Sequence, residues 1–371
     1  MMTGVHQLVP SVVPFDATSG HTLQVQQALR EAGFESEIYA LAVHPDFEDR
    51  VRLIGDLRGP QRADSHLLIQ FSSVSALGDI ALGRRERLAV NYHNVTPPEF
   101  FRRWSPGIVR HLQASLVQLA QLSRRAGFGI GDSAFNVGEL HRAGIAGCAT
   151  VPVLMDMAER KVEPDPAVAA ALVRRRSDLG AMWLFVGSIA PHKAQHRLVQ
   201  ALALYRRAYD PAARLILVGR AMSASYADAL QRYIGALGLV DAVEMTGAVD
   251  QRQLAAYFAG ADVFVSASAH EGFGVPLVEA MAYDVPVVAR PAGAVAATVG
   301  DGGIVVPDGT PPALAAAVAR VLHDDNLRQY IVAAGRKRVA HYDLVHTQAA
   351  MVEAVRRWVE SDVAMTGGAV P

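Results

Sequence analysis

The chain has 371 residues, of which 51% are hydrophobic, and a formal net charge of −1 at pH 7. That length exceeds one ordinary core and predicts two domains. The composition is globular, and the near-zero charge excludes a nucleic-acid binder that works by bulk electrostatics.

The opening MMTGVHQLVPSVVPF lacks a basic region and a long apolar run, so no signal peptide is expected. No stretch of about 18 apolar residues suggests a membrane span, and the expected location is cytoplasmic. Residues 5–13 read as a strand, and 20–33 as a loop entering a helix that ends at a glycine. Strands follow at 37–43, 67–71 and 88–92, then a long amphipathic helix at 108–125 and strands at 128–131 and 151–154. Strands alternating with helices predict a parallel sheet covered on both faces. GFGIG at 127–131 has the wrong spacing for a dinucleotide fingerprint and follows a helix. It reads as a core strand packed closely at its glycines, which disfavours hydride transfer. The single cysteine, Cys148, permits no internal disulfide and reads as a small core residue.

The charged segment 156–166, DMAERKVEPDP, reads as an interdomain linker. A second alternating series has strands at 183–186, 215–218, 243–245, 263–265, 285–289 and 304–306. Helices follow at 312–323, 325–341 and near 345–360, and the tail AMTGGAVP is expected to fray.

The most informative stretch is HEGFGVPLVEAMAYDVPVV, residues 270–288. Glu271 and Glu279 stand eight positions apart, with Gly272, Phe273 and Gly274 after the first. A strand ends, a glycine-bearing loop follows, and Pro276 opens a helix, where its missing N–H costs nothing. Free amides around Val275, Pro276 and Leu277 predict a cradle for phosphate. With one carboxylate in the loop and one in the first helical turn, both can line one crevice. Ionised carboxylates only accept hydrogen bonds, which suits sugar and ribose hydroxyls. The chain has no D-x-D pair of the kind that holds a metal on a diphosphate. Lys193, beyond the strand ending near Val186, is the candidate cation there.

The 270–288 segment resembles the E-x7-E motif of retaining nucleotide-sugar glycosyltransferases of the two-Rossmann (GT-B) fold, specifically the mannosyltransferase-like family 4. NYHNVTPPEFF (91–101), FVGSIAPHK (185–193), LILVGR (215–220) and AGAVAATVGDGGIVV (292–306) fall in the order expected of that family. The resemblance implies two Rossmann-like, doubly wound α/β domains facing a central cleft. The acceptor domain is expected at 1–160, the nucleotide-sugar domain at 167–344, and a helix at 345–371 crossing back to the first domain.

It further implies transfer of a hexosyl unit, with retention, from a GDP- or UDP-sugar to a hydroxyl of a glycan, lipid-linked or small-molecule acceptor. No metal or other cofactor is expected. Glu271, His93 and Lys193 would be catalytic. Glu271 would hold the sugar, His93 a sugar hydroxyl or the developing positive centre, and Lys193 the leaving diphosphate. Glu279 would bind the ribose, with Gly272, Phe273, Gly274, Val275, Pro276 and Leu277 around the donor, and Gly20 in a loop near its phosphates. The family carries an arginine five positions before the lysine, where this chain has Ser188. Arg220, Arg290 or His192 would have to compensate.

Phe100, Phe101, Arg102, Arg103 and Trp104 form a basic aromatic cluster, and five arginines with no acid lie between Phe100 and Arg125. This patch suggests contact with anionic lipid headgroups at the inner membrane face or with a phosphorylated acceptor; the alternative is an amphipathic core helix with a solvated basic face. The rival readings are a sugar-nucleotide epimerase or phosphorylase of the same fold, and a catalytically inactive sugar-nucleotide-binding subunit.

Overall fold

The computed structural model describes residues 3–14, 16–57, 65–176 and 180–366. Seven parallel strands form the first sheet: β1 (Val5–Val12), β2 (Ile38–Val43), β3 (Val51–Leu53), β4 (His66–Phe71), β5 (Arg87–Tyr92), β6 (Phe128–Gly131) and β7 (Cys148–Thr150). Their order is β3-β2-β1-β4-β5-β6-β7. The second sheet has six: β8 (Met182–Val186), β9 (Arg214–Val218), β10 (Val243–Gly247), β11 (Val263–Ser266), β12 (Val287–Ala289) and β13 (Gly303–Val305), ordered β10-β9-β8-β11-β12-β13. Both orders reverse beside the sheet's first strand, as in a doubly wound Rossmann sheet.

The chain divides into two compact units. Met1–Pro98, Gly107–Met155 and Tyr342–Pro371 form the first, Glu99–Pro106 and Asp156–His341 the second. In the first core, Val5, Leu68, Ala89 and Ile130 of the sheet are buried with Val25 and Leu29. Met351, Val355 and Trp358 of the helix Leu344–Thr366 join them. In the second, Trp183, Leu215 and Val263 pack with Leu198, Leu202 and Tyr205 of the helix Gln195–Ala208.

Several elements differ from the sequence expectation. The helix after β1 runs Ala17–Glu31, because the Asp16 carboxylate caps it, accepting from Ser19 N and Ser19 Oγ at 2.8 Å. Gly20 therefore lies inside the first turn, its N–H donating to Asp16 O at 3.0 Å, and not in a loop. The last strand of the first sheet is Cys148–Thr150, not 151–154. β6 is four residues long, and the ladder ends with Val151 N donating to Gly131 O at 3.0 Å. Val153 and Leu154 are buried but lie beyond the ladder, so hydrophobicity alone misplaced the strand. The edge strand β3 was not expected. The final helix continues to Thr366, through the first residues of the tail expected to fray. The rest of that tail, 367–371, lies outside the described residues.

The close packing expected of GFGIG is present. A Cβ on Gly131 would lie 2.8 Å from Val137 N, so only glycine lets the helix Ala134–Ala143 approach β6. At Gly20 a Cβ would meet nothing within 4 Å. Gly20→Ala should therefore raise stability by about 0.5–1 kcal/mol, the usual helix gain over glycine. Denaturant unfolding checks this, and a clear loss of stability would restore the loop reading.

Candidate functional site

In an open parallel sheet the crevice for a ligand opens at the carboxyl ends of the strands flanking the order reversal. In the second unit those strands are β8 and β11. The loop after β8 ends in the short 3-10 turn Pro191–Lys193, and the loop after β11 carries His270 and Glu271. Ala269 N donates to His192 O at 2.7 Å and ties the two loops together. Lys193 Nζ then lies 2.7 Å from both oxygens of Glu271, and both side chains are mostly buried. The loop after β12 braces the arrangement. Ala294 N donates to Glu271 O at 3.0 Å, and Thr298 Oγ1 to Phe273 O at 2.7 Å.

The helix Val275–Ala282 begins with Gly274 in the left-handed region at φ 95°. Its amide cradle is smaller than the sequence implied. Pro276 has no N–H, and Leu277 N already donates to Gly274 O at 2.9 Å. Glu279 sits in the second turn, not the first, and is buried. Its Oε1 accepts from Arg160 Nη1 at 2.6 Å. Arg160 belongs to the segment read as an interdomain linker, and side-chain and backbone hydrogen bonds hold that segment against the second unit. Gln251 Nε2 donates to Arg160 O at 2.7 Å, Lys161 Nζ to Ala282 O at 3.2 Å, and Asp165 N to Arg252 O at 2.9 Å.

In the first unit, β1, β4 and β5 each carry a buried polar side chain: Gln7, Gln70 and Asn91. The carbonyl of Thr22 accepts from Gln7 Nε2 at 3.1 Å, which sets the amide directions. Gln7 Oε1 accepts from Gln70 Nε2 at 2.7 Å. Gln70 Oε1 accepts from Asn91 Nδ2 at 2.9 Å and faces His93 Nε2 at 2.7 Å. His93 Nδ1 lies 3.0 Å from the Asp132 carboxylate. Both ring nitrogens of His93 thus face oxygens inside its own unit, and these contacts fix the orientation of the ring. Leu154 N donates to His21 Nδ1 at 3.0 Å, and the His21 ring stands edge-on to His93 at 5.1 Å. Burial, reinforced by His93, holds His21 well below the ordinary histidine range.

The candidates to compensate for Ser188 separate clearly. Burial, aided by Lys193 and His270, drives His192 down to about 2, so it is neutral and supplies no charge. Arg220 and Arg290 follow β9 and β12 and form no ion pair among the described residues. Arg220 stands across from the Ser188 loop, with Ile189 N donating to Arg220 O at 2.9 Å. The basic aromatic patch is also divided. Phe101 is fully buried, Phe100 packs against His192 and His270, and Trp104 packs edge-on against Tyr226 at 5.1 Å. Phe101 is thus a core residue and Phe100 and Trp104 are half-buried against the second unit, whereas Arg102 and Arg103 are exposed. Cys148 is half-buried and its thiol is pushed up to about 11 by burial, as expected of an inert residue.

Sequence reasoning missed Arg160, His21, Gln70, Asn91 and Asp132. The signal for two of these was present: a polar residue near the carboxyl end of each otherwise apolar strand in LLIQF and LAVNY.

Comparison with known proteins bears on the same region. Residues 177–338 match the family model described as "Glycosyl transferases group 1". The chain is 31% identical over 244 residues to the D-inositol 3-phosphate glycosyltransferase of Kineococcus radiotolerans, covering 62% of this chain and 56% of that protein. It is 38% identical over 169 residues to the phosphatidyl-myo-inositol mannosyltransferase of Mycobacterium leprae, covering 44% and 43%. The chain thus spans about half the length of the curated relatives it matches. Among solved structures, Anabaena Alr3699/HepE in complex with UDP and glucose superposes with a TM-score of 0.75 at 20% identity, covering 96% of this chain and 100% of that one. Sucrose-phosphate synthase from Thermosynechococcus elongatus gives 0.74 at 20% identity, covering 96% and 100%. These likenesses establish the fold as that of the two-Rossmann glycosyltransferases.

Two buried histidines, His21 and His192, are held below the ordinary histidine value in the folded chain. On unfolding they regain a value near 6.5, so below that pH the unfolded chain binds more protons. Stability should fall as pH drops from 7.5 to 5.5, by up to about 1.4 kcal/mol per pH unit for each histidine that stays neutral. Urea unfolding at the two pH values measures this, and His192→Gln should flatten the slope. Equal stabilities would contradict the neutral assignment.

Proposed function

We propose that this chain is a glycosyltransferase that moves a hexosyl unit from a nucleotide-diphosphate sugar to an acceptor hydroxyl, with retention and without a metal. The observation that carries the reading is the Lys193–Glu271 pair at the strand-order reversal. It falls inside the segment matched by the glycosyl transferase family model. The donor is a GDP- or UDP-sugar. A relative is described as GDP-mannose-dependent, and a neighbour of the same fold binds UDP-glucose. The acceptor is a glycan, lipid-linked or small-molecule hydroxyl. Among the described residues no helix is long and apolar enough to cross a membrane. A lipid-linked acceptor would be met peripherally, at the cytoplasmic face, with Arg102 and Arg103 as the exposed cations.

In this reading Glu271 accepts hydrogen bonds from sugar hydroxyls and fixes the ring. The bond from the anomeric carbon to the diphosphate breaks while the acceptor oxygen bonds on the same face. The acceptor's proton passes to the leaving phosphate, so no side-chain nucleophile is needed. Charge grows on the diphosphate as it leaves. Lys193 swings from Glu271 to meet it, and Arg220 adds the second cation that Ser188 does not. Cationic groups placed where negative charge develops lower the barrier to that departure. His93 presents its backbone carbonyl to the sugar, with the ring behind it locked by Asp132 and Gln70. Glu279 takes the ribose hydroxyls.

Glu271→Gln should lower turnover by about 10²–10³-fold while free nucleoside diphosphate still binds. Near-normal turnover would sink its assignment. Turnover should survive EDTA, and complete loss restored by Mg2+ or Mn2+ would refute the metal-free cradle. Arg220→Ala should weaken diphosphate binding about tenfold, equivalent to about 1.4 kcal/mol, with a shallower salt dependence. Adding Ser188→Arg to that variant should restore binding, since the new guanidinium enters from the adjoining loop. Wild-type affinity in Arg220→Ala would move the second cation to Arg290.

A further inference from the structure

The segment between residues 156 and 165 does more than connect. Asp156 accepts from Ala158 N and Glu159 N and starts a short turn, Met157–Arg160. The turn is pinned to two helices of the second unit. Its last carbonyl accepts from Gln251 Nε2 of the helix Gln251–Gly260. Lys161 reaches the end of the helix Val275–Ala282 and lies over the Tyr283 ring at 5.5 Å. Tyr283 in turn stacks on Phe258 at 5.2 Å. So held, Arg160 delivers one N–H to Oε1 of Glu279, whose side chain is 5% exposed.

An ionised carboxylate has about four acceptor directions, and Arg160 takes one. Arg160 therefore holds the Glu279 side chain in one rotamer while leaving acceptor capacity open.

We infer that Arg160 is a positioning residue for nucleoside recognition: it holds Glu279 as an oriented acceptor for a vicinal diol, the ribose 2′- and 3′-hydroxyls of the donor nucleotide. The inference rests on the proposed donor site but adds a residue from outside the loops that form it. Its effect is confined to ligands with those hydroxyls. Pyrophosphate and 2′,3′-dideoxynucleotides carry the same phosphates without the diol, so Arg160 should be silent toward them.

The test is calorimetric titration of UDP, GDP, their 2′,3′-dideoxy forms and inorganic pyrophosphate into the full chain. Wild type, Arg160→Ala, Arg160→Lys and Glu279→Gln are compared. Wild type should bind the preferred nucleoside diphosphate at least tenfold more tightly than its dideoxy form. Arg160→Ala should lose most of that ratio and bind the dideoxy form and pyrophosphate within twofold of wild type. Arg160→Lys should retain an intermediate ratio, and Arg160→Ala in a Glu279→Gln background should add nothing further. If wild type itself ignores the hydroxyls, the ribose role of Glu279 fails and takes this inference with it. If wild type discriminates and Arg160→Ala discriminates equally, the inference alone fails. Equal losses on every probe would make Arg160 a structural or phosphate residue and also overturn it. Should Arg160→Ala not fold, Arg160→Gln is read by the same criteria.

Discussion

The reversal of strand order between β8 and β11 is the constraint on which the second unit's chemistry depends. In a parallel sheet each crossover is right-handed, so the connections from these two strands leave toward opposite faces. The ends of β8 and β11 are left side by side with no helix between them. Whatever side chains the two loops carry must meet there. Lys193 and Glu271 are separated by 78 positions in the chain, yet the topology brings Nζ and the carboxylate to 2.7 Å. The brace from Ala294 N to Glu271 O follows from the same order, since β12 is the next strand along.

Burial then decides what each titratable group can do. Lys193 and Glu271 are mostly removed from water, and each is tolerable there because it faces the other. Breaking such a pair typically costs about 3–5 kcal/mol, whereas forming it from solvent gains little. The pair is therefore better understood as preorganisation than as stabilisation. A ligand that brings its own anion to Lys193 exchanges one partner for another and does not have to create a charged site. His192 illustrates the opposite outcome. It is buried, beside a lysine and a second histidine and packed against Phe100 and Phe101, so it is neutral and acts as an apolar wall of the loop.

Much of this was legible in the sequence, and the reason is locality. Two alternating series of apolar runs and amphipathic helices specify two parallel sheets. Gly272 to Pro276 specify a turn into a helix with Glu271 before it. What failed were features set at long range or by competition among local signals. The apolar run 151–154 looks like a strand, but β6 offers only four residues to pair with, and Cys148 to Thr150 use them. Asp16 captures the helix start ahead of Gly20. Arg160 meets Glu279 across 119 positions of sequence, and nothing in DMAERKVEPDP itself marks one charge as a partner and its neighbours as solvated. The residues at 100, 101 and 104 left two readings open, because a hydrophobic cluster beside arginines looks the same in sequence whether it faces lipid or a core.

The charge pattern at the strand ends carries the last step. Lys193 is matched by Glu271 and Glu279 by Arg160, so these four groups sum to zero. Arg220 after β9 and Arg290 after β12 remain, each one strand away from the reversal and on opposite sides of it. Neighbouring strands of a sheet are about 4.8 Å apart, well within the reach of an arginine side chain. In the proposed donor site these two arginines supply positive charge from the flanks, while the Lys193–Glu271 and Glu279–Arg160 pairs leave the centre internally neutral. Such a centre holds neutral hydroxyl-rich groups through carboxylates, and flanking guanidiniums favour a polyanion laid across the strand ends. A sugar joined to a diphosphate has both parts. In the proposed reading, charge carried on Arg220 lies one strand from Ser188 and charge on Arg290 two strands away, so serine at that position does not by itself argue for an inactive protein.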